Sequence, residues 1–223
     1  VRVALCYRGH FYREKLHNNC NGRTGEGSSF FLNYENNKSN LIDCYDDVDV
    51  FFHTYSANEE LNDKLITTLN PKKYEIETNE HSEIRHSILK VNEMFNSDDY
   101  DLIINTRFDL HFKKKITEFN LDVDKFNFLW RENVKKQKLL PSYRCSDLLW
   151  VFHPRYKKEF EYSYGSCYDK FFGNINPMRD GHTILKCLSE RISVDTEINF
   201  VTHKRYTSSN KITNPFLLLN RSF

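Results

Sequence analysis

One strand-length segment, Tyr100-Asp-Leu-Ile-Ile-Asn-Thr-Arg-Phe-Asp-Leu-His-Phe112, constrains the fold more than any other part of the chain. Its apolar run, Leu102 to Ile104, is too short for a helix, and apolar residues resume at Leu110 and Phe112. Between them Arg107 and Asp109 stand two apart, a spacing that puts both side chains on one face of an extended chain. The pattern predicts a buried strand that delivers one cation and one carboxylate to the carboxyl edge of a sheet. Open α/β sheets bind their ligands at that edge. A carboxylate held beside a guanidinium suits a Mg²⁺- or Mn²⁺-bound diphosphate, with the carboxylate on the metal and the arginine on phosphate oxygens. From this segment alone, an Arg–Asp ion pair that merely closes a strand end is an equal reading.

Around that strand the chain alternates strand and helix patterns. Val3 to Tyr7 predicts a short apolar strand that breaks at the turn Arg8-Gly9-His10, where backbone N–H groups could approach a phosphate or a base. Asn18 to Ser29 gathers polar turn-formers and reads as a flexible loop. Asp49 to Tyr55 predicts a second buried strand with His53 and Thr54 at its exit. Leu61, Leu65 and Leu69 give helical spacing over Asn58–Leu69, closed by Asn70-Pro71. Tyr74–Thr78 alternates like a strand, and Ile84, Ile88, Val91 and Phe95 mark a helix over Glu80–Phe95. Further strands are expected at Phe126–Trp130, Leu148–Phe152 and Ile198–Val201, with a helix over Asp180–Arg191. Crossover helices in the first half require parallel pairing there. An α/β fold results, with 1–112 as a nucleotide-binding half and 113–223 as an acceptor-binding half of one domain.

Composition removes several alternatives. With 32 basic and 31 acidic residues the net charge is +1, so no global field draws nucleic acid or an anionic membrane, and any anion site must be local. Lys113–Lys115 and Lys135–Lys138 lack interleaved aromatics and read as solvated loop faces. No apolar run approaches the length of a membrane span. The 6 cysteines show no C-x-x-C pair, so zinc-ribbon and redox motifs are absent and reduced thiols are expected. Neither G-x-G-x-x-G nor G-x-x-x-x-G-K-[ST] follows the first strand, which argues against a dinucleotide enzyme and a P-loop NTPase. What remains is a nucleotide-binding fold that holds its diphosphate with metal or cationic side chains.

Four pieces together, Ala4–His10 with Arg13 nearby, Asp49–Thr54, Ser87–Asn92 and Tyr100–Leu110, resemble a family of small GT-A-type glycosyltransferases common among large DNA viruses, cyanophages and bacteria. The resemblance covers about the first 110 residues and more loosely Ser146-Asp147 and the helix after Asp180. It implies a GT-A-like fold, a mixed and mainly parallel sheet flanked by helices. It also implies transfer of a sugar from a nucleoside diphosphate donor to a glycan hydroxyl, in the cytoplasm, with Mn²⁺ or Mg²⁺ on the diphosphate. Such enzymes carry Asp-x-Asp at the strand end. Here Asp109 matches the last aspartate and Arg107 replaces the first, so the arginine can neutralise diphosphate charge directly. An alternative ligand pair is Asp109 with His111.

Roles follow for other residues. Arg8, Arg13 and Arg205 could join Arg107 in stabilising the leaving diphosphate. Tyr7, His53 and Thr54 fall where nucleobase and ribose sit in such folds. An inverting transfer needs a carboxylate base, for which Asp147 is the first choice and Asp180 the second. The alternative function is a sugar-nucleotide or glycan-binding module that kept the fold and lost the chemistry.

Overall fold

The computed structural model describes residues 1–15, 26–78, 84–130, 145–167, 184–202 and 216–218. A seven-stranded sheet runs through the molecule in the order β10-β8-β9-β6-β1-β4-β5. Its strands are β1 (Arg2–Arg8), β4 (Asp47–Tyr55), β5 (Lys73–Glu77), β6 (Leu102–Arg107), β8 (Phe126–Trp130), β9 (Leu149–Phe152) and β10 (Ile198–Thr202). β1 pairs in parallel with β4 and β6, and β4 with β5, as the alternation of strands and helices required. β9 is antiparallel to both of its neighbours, β6 and β8, while β8 and β10 are parallel. Because β9 runs backwards, its entrance lies at the carboxyl ends of the others. That reversal carries Asp147 to the edge where β6 ends.

The central strands are apolar on both faces because both are covered. On β1, Val3, Leu5 and Tyr7 join one core layer with Phe52, Ile104 and Phe108. Ala4 and Cys6 join the other with Phe51, Ile103, Trp150, Phe160 and Leu185. Strand alternation then projects Arg8 onto the second face, over Trp150.

Helix α2 (Glu59–Leu69) begins where Asn58 Oδ1 accepts from Leu61 N at 2.9 Å, with Glu59 and Glu60 favourable at the positive end. It stops at Asn70, whose left-handed φ of 43° lets its N–H reach Ile66 O before Pro71. Helix α3 (Ile84–Asn92) buries Ile88 and Val91 against the second face; residues 80–83 of the predicted Glu80–Phe95 helix lie outside the described part. Of the predicted Asp180–Arg191 helix, α5 (Ile184–Leu188) is described and continues as a turn.

Four elements were not expected. Strand β3 (Glu26–Ser29), at the end of the span Asn18–Ser29 read as a loop, pairs antiparallel with β2 (Tyr12–Lys15); residues 18–25 of that span lie outside the described part. Helix α4 (Lys157–Tyr164) follows β9 and packs Phe160 and Tyr164 on Trp150. Helix α1 (Tyr34–Asn40) uses amides to dock: Asn36 Nδ2 donates to Phe112 O at 2.7 Å and its Oδ1 accepts from Phe112 N at 2.8 Å. Asn33 and Asn37 donate to Leu110 O. These bonds cover one side of β7 (Leu110–Phe112), which pairs on its other side with β11 (Phe216–Leu218).

At the outer edge, β5 carries Lys73, Glu75 and Glu77 in alternation and is partly exposed throughout. None of the five described cysteines is in a disulfide, consistent with the reduced thiols expected. Among the described residues no helix is long and apolar enough to cross a membrane.

Candidate active site

Strand direction brings Arg8, Arg107, Asp109 and Asp147 to one place. Arg8 and Arg107 are partners in the parallel β1–β6 ladder, each the last residue of its strand. Asp109 sits in the turn that follows β6, and Arg107 grips it with both arms of the guanidinium: Nε to Oδ1 at 2.7 Å and Nη2 to Oδ2 at 2.5 Å. The Asp109 side chain is 11% exposed and that of Arg107 26%, so the pair is accessible from the edge.

Arg8 is buried. Its guanidinium lies 4.3 Å above the Trp150 ring, and Nη2 donates to the Asp147 carbonyl, while Nε has no hydrogen-bond partner. Burial pulls its pKa down to about 10; Tyr164, Asp147 and Asp109 oppose the fall and Arg107 adds to it. Arg8 therefore keeps its charge at neutral pH, in a setting where an isolated buried cation is costly. For Arg107, burial works against the charged form but is outweighed by Asp109 and then Asp147, which raise its pKa. Two guanidinium groups held side by side, one with a buried N–H left over, thus meet the carboxylates of Asp109 and Asp147 at one place on the sheet edge.

The Asp147 segment is fixed from below. Ser146 N donates to Trp130 O, Leu148 N to Ser146 Oγ, and Trp150 Nε1 to Ser146 O. Trp150 thus anchors this turn and carries Arg8 on its ring; both Trp130 and Trp150 are core residues.

Other expected site residues have different surroundings. Tyr7 has no exposed surface; its ring stacks on Phe108 and its hydroxyl meets Asn37 Oδ1 at 3.2 Å, so it packs the first core layer. Thr54 Oγ1 donates to Gly9 O at 2.7 Å, and Gly9 N donates to Ser87 Oγ at 2.9 Å. Both polar groups of Gly9 are thereby spent on protein partners. The Arg8-Gly9-His10 turn, which needs glycine for its φ of 84°, therefore does not present the Gly9 N–H to a phosphate. His53 is buried with Nδ1 3.0 Å from Ser87 Oγ. Arg13 lies on β2, and Asp180 and Arg205 fall outside the described residues.

The Asp109–His111 pair does not fit a metal site. Both Asp109 oxygens are engaged by Arg107, and His111 is drawn instead to α1, with Nδ1 2.8 Å from Asn33 Oδ1 and Nε2 3.4 Å from Asn36 Nδ2. The described residues that do gather as possible metal ligands are His53, Glu77 and His86. Nothing in their sequence spacing announced it. Nor did the sequence point to Asn105, whose buried amide on β6 has no hydrogen-bond partner on either atom.

A cavity of about 410 Å³ opens at the amino edge of the sheet, lined by residues such as Val1, Asp101, Leu102, Phe119 and His153. None of the charged groups above lines it.

No protein-family model matches the chain, and no curated protein matches its sequence. Solved structures do match its shape. The crystal structure of a 4-diphosphocytidyl-2C-methyl-D-erythritol synthase from Anaerococcus prevotii has a TM-score of 0.52 at 10% identity, covering 92% of this chain and 88% of that one. This chain has a nucleotide-diphospho-sugar transferase-like fold. The glycosyltransferase GlyE of Streptococcus pneumoniae, in its apo form, has a TM-score of 0.48 at 9% identity, with 89% of this chain covered. The match spans 44% of GlyE, less than half its length.

Proposed function

We propose that the chain is a glycosyltransferase that moves a sugar from a nucleoside diphosphate donor to a hydroxyl of a glycan acceptor. The observation that carries this reading is the buried Arg8 beside Arg107 at the carboxyl edge of a nucleotide-diphospho-sugar transferase-like sheet, with Asp147 next to both. Negative charge that develops on a leaving diphosphate is stabilised most by cations already fixed in a poorly solvated site. Arg107, the more exposed of the two, contacts the diphosphate; Arg8 supplies field from beneath and holds the Asp147 backbone.

In a transfer that inverts the anomeric centre, the acceptor oxygen attacks the anomeric carbon and passes its proton to the Asp147 carboxylate. The bond to the nucleoside diphosphate breaks, and its electron pair leaves on the phosphate oxygen facing Arg107. The resemblance in sequence implied Mn²⁺ or Mg²⁺ at Asp109. The bidentate grip of Arg107 on Asp109 favours the arginines as the source of positive charge, and no step above passes through a metal.

Screening nucleoside diphosphate sugars for slow hydrolysis tests the reading. The expected result is release of nucleoside diphosphate from one donor, retained in EDTA and lost in Arg107→Ala. Hydrolysis abolished by EDTA and restored by Mn²⁺ would return the electrostatic role to a metal. Donor binding with no hydrolysis by any preparation would leave the non-catalytic binding module as the function.

A further inference from the structure

Apart from the arginine centre, a second group of side chains converges on the same sheet edge. His53 on β4, Glu77 at the end of β5 and His86 in the first turn of α3 each bring a donor atom within 4.8 Å of the other two. Glu77 Oε1 lies 2.7 Å from His86 Nε2 and 3.4 Å from His53 Nε2. Ligands at zinc's usual bond lengths and tetrahedral angles stand about 3.3–3.6 Å apart. The Glu77–His53 distance has that spacing, and the Glu77–His86 contact has to open by a few tenths of an ångström to admit the ion.

Hydrogen bonding around His53 fixes what its Nε2 offers. Ser87 Oγ accepts from Gly9 N at 2.9 Å and donates its one proton to His53 O at 3.2 Å. A Ser87 hydroxyl that donates to His53 O can only accept from His53 Nδ1, 3.0 Å away, which is the tautomer with the ring proton on Nδ1. In that tautomer the Nε2 lone pair, in a side chain with no exposed surface, faces Glu77 Oε1 at 3.4 Å. A lone pair facing a carboxylate oxygen is unfavourable unless a cation joins them. The Ser87 contact is also the kind of outer hydrogen bond that orients metal-binding histidines.

We propose that His53 Nε2, Glu77 Oε1 and His86 Nε2 form a Zn²⁺ site, with a fourth position open to water or a ligand. Two imidazoles and one carboxylate make a borderline-soft donor set that selects zinc over Mg²⁺ or Ca²⁺. Glu75, paired opposite His53 on β5, adds negative charge close by. Glu77 is 18% exposed and His86 28%, so the ion has a way in from solvent. The site ties β4, β5 and the start of α3 together, and through Ser87 it reaches the Gly9 turn beside Arg8.

The test uses the full chain, stripped with a chelator and dialysed against micromolar Zn²⁺, with bound metal counted by mass spectrometry. One zinc per chain is expected, retained in Asp109→Asn. His86→Ala and Glu77→Gln should each weaken binding by more than the roughly 10–100-fold that loss of an outer partner costs. Co²⁺ substitution of the wild type gives a readout independent of any variant: strong visible bands of a tetrahedral ion support the site. Absence of bound zinc in the wild type, an octahedral cobalt spectrum, or wild-type zinc affinity in both variants would overturn it.

Discussion

The carboxyl edge of this sheet holds two groups of opposite character a strand apart. At the β1–β6 station, guanidinium groups and carboxylates meet; at the β4–β5 station, imidazole and carboxylate converge. Backbone geometry is the same at both, parallel strands ending together. The difference is set by which residue terminates each strand: Arg8 and Arg107 at one, His53 and Glu77 just short of the end or at the end of the other. A parallel sheet edge supplies only convergence. The sign of the ligand it attracts is written in single side chains.

The comparison breaks first at Asp147. If the β1–β6 station performs transfer, Asp147→Asn should lower kcat by about 10²–10⁴ while donor affinity in a calorimetric titration stays at the wild-type level. Full kcat in this variant would take the base role from Asp147. A smaller effect is expected at Arg107, where a charge-assisted contact is worth about 1.5–3 kcal/mol, so Arg107→Ala should weaken donor binding by roughly 10–150-fold. Unchanged affinity would make the Arg107–Asp109 pair purely structural. Arg8→Met keeps an aliphatic stem over Trp150 and drops only the charge. Its kcat/KM should fall several-fold with a melting temperature within a few degrees of wild type; a collapsed melting temperature with unaltered turnover would make Arg8 a packing residue.

The least effect is expected far from either station, at the amino edge. Asp49 accepts from Lys72, Tyr100 and Arg2 at 2.8, 2.9 and 3.0 Å. Burial alone would raise its pKa, but these bonds outweigh it and hold the carboxyl below its usual value. A depressed carboxyl stabilises the fold above the ordinary aspartate pKa of about 3.9, and the contribution is lost as pH falls through the lowered value. Asp49→Asn should accordingly melt slightly earlier than wild type at pH 7, and the gap should close in strong acid. A gap that persists there would mean that packing, not ionisation, makes the difference.

Much of the parallel half was legible because its signals are local. β1, β4 and β6 are continuous apolar runs, and α2 advertises both of its ends through Asn58 and Asn70-Pro71. The closeness of Arg107 and Asp109 was expected from their spacing, although the strand ends at Arg107 and the turn after it brings Asp109 back to the guanidinium. What escaped depends on partners distant in sequence. Tyr34–Asn40 has almost no apolar face, and it forms a helix because Asn36 and Asn37 find the backbone of β7, more than seventy residues away. Tyr156, Phe160 and Tyr164 do show a four-residue spacing, which aromatic strands on either side obscured. Tyr7 and Thr54 lie at the right edge, but alternation and the Gly9 turn direct them inward. His53, Glu77 and His86 come from two strands and a helix, so their convergence exists only once the sheet order does.

One consequence of the β5 strand concerns how copies of this chain meet. A sheet's outermost strand offers unpaired backbone groups to any extended segment, and two such edges can zip together. Lys73, Glu75 and Glu77 place charge along that margin. An approaching identical edge would have to bring carboxylates together and strip their water. The same carboxylates that give the β4–β5 station its appetite for a cation thereby act as a guard against edge-to-edge self-assembly, and neutralising Glu75 and Glu77 together should show first as turbidity in a concentrated solution and not as a lower melting point.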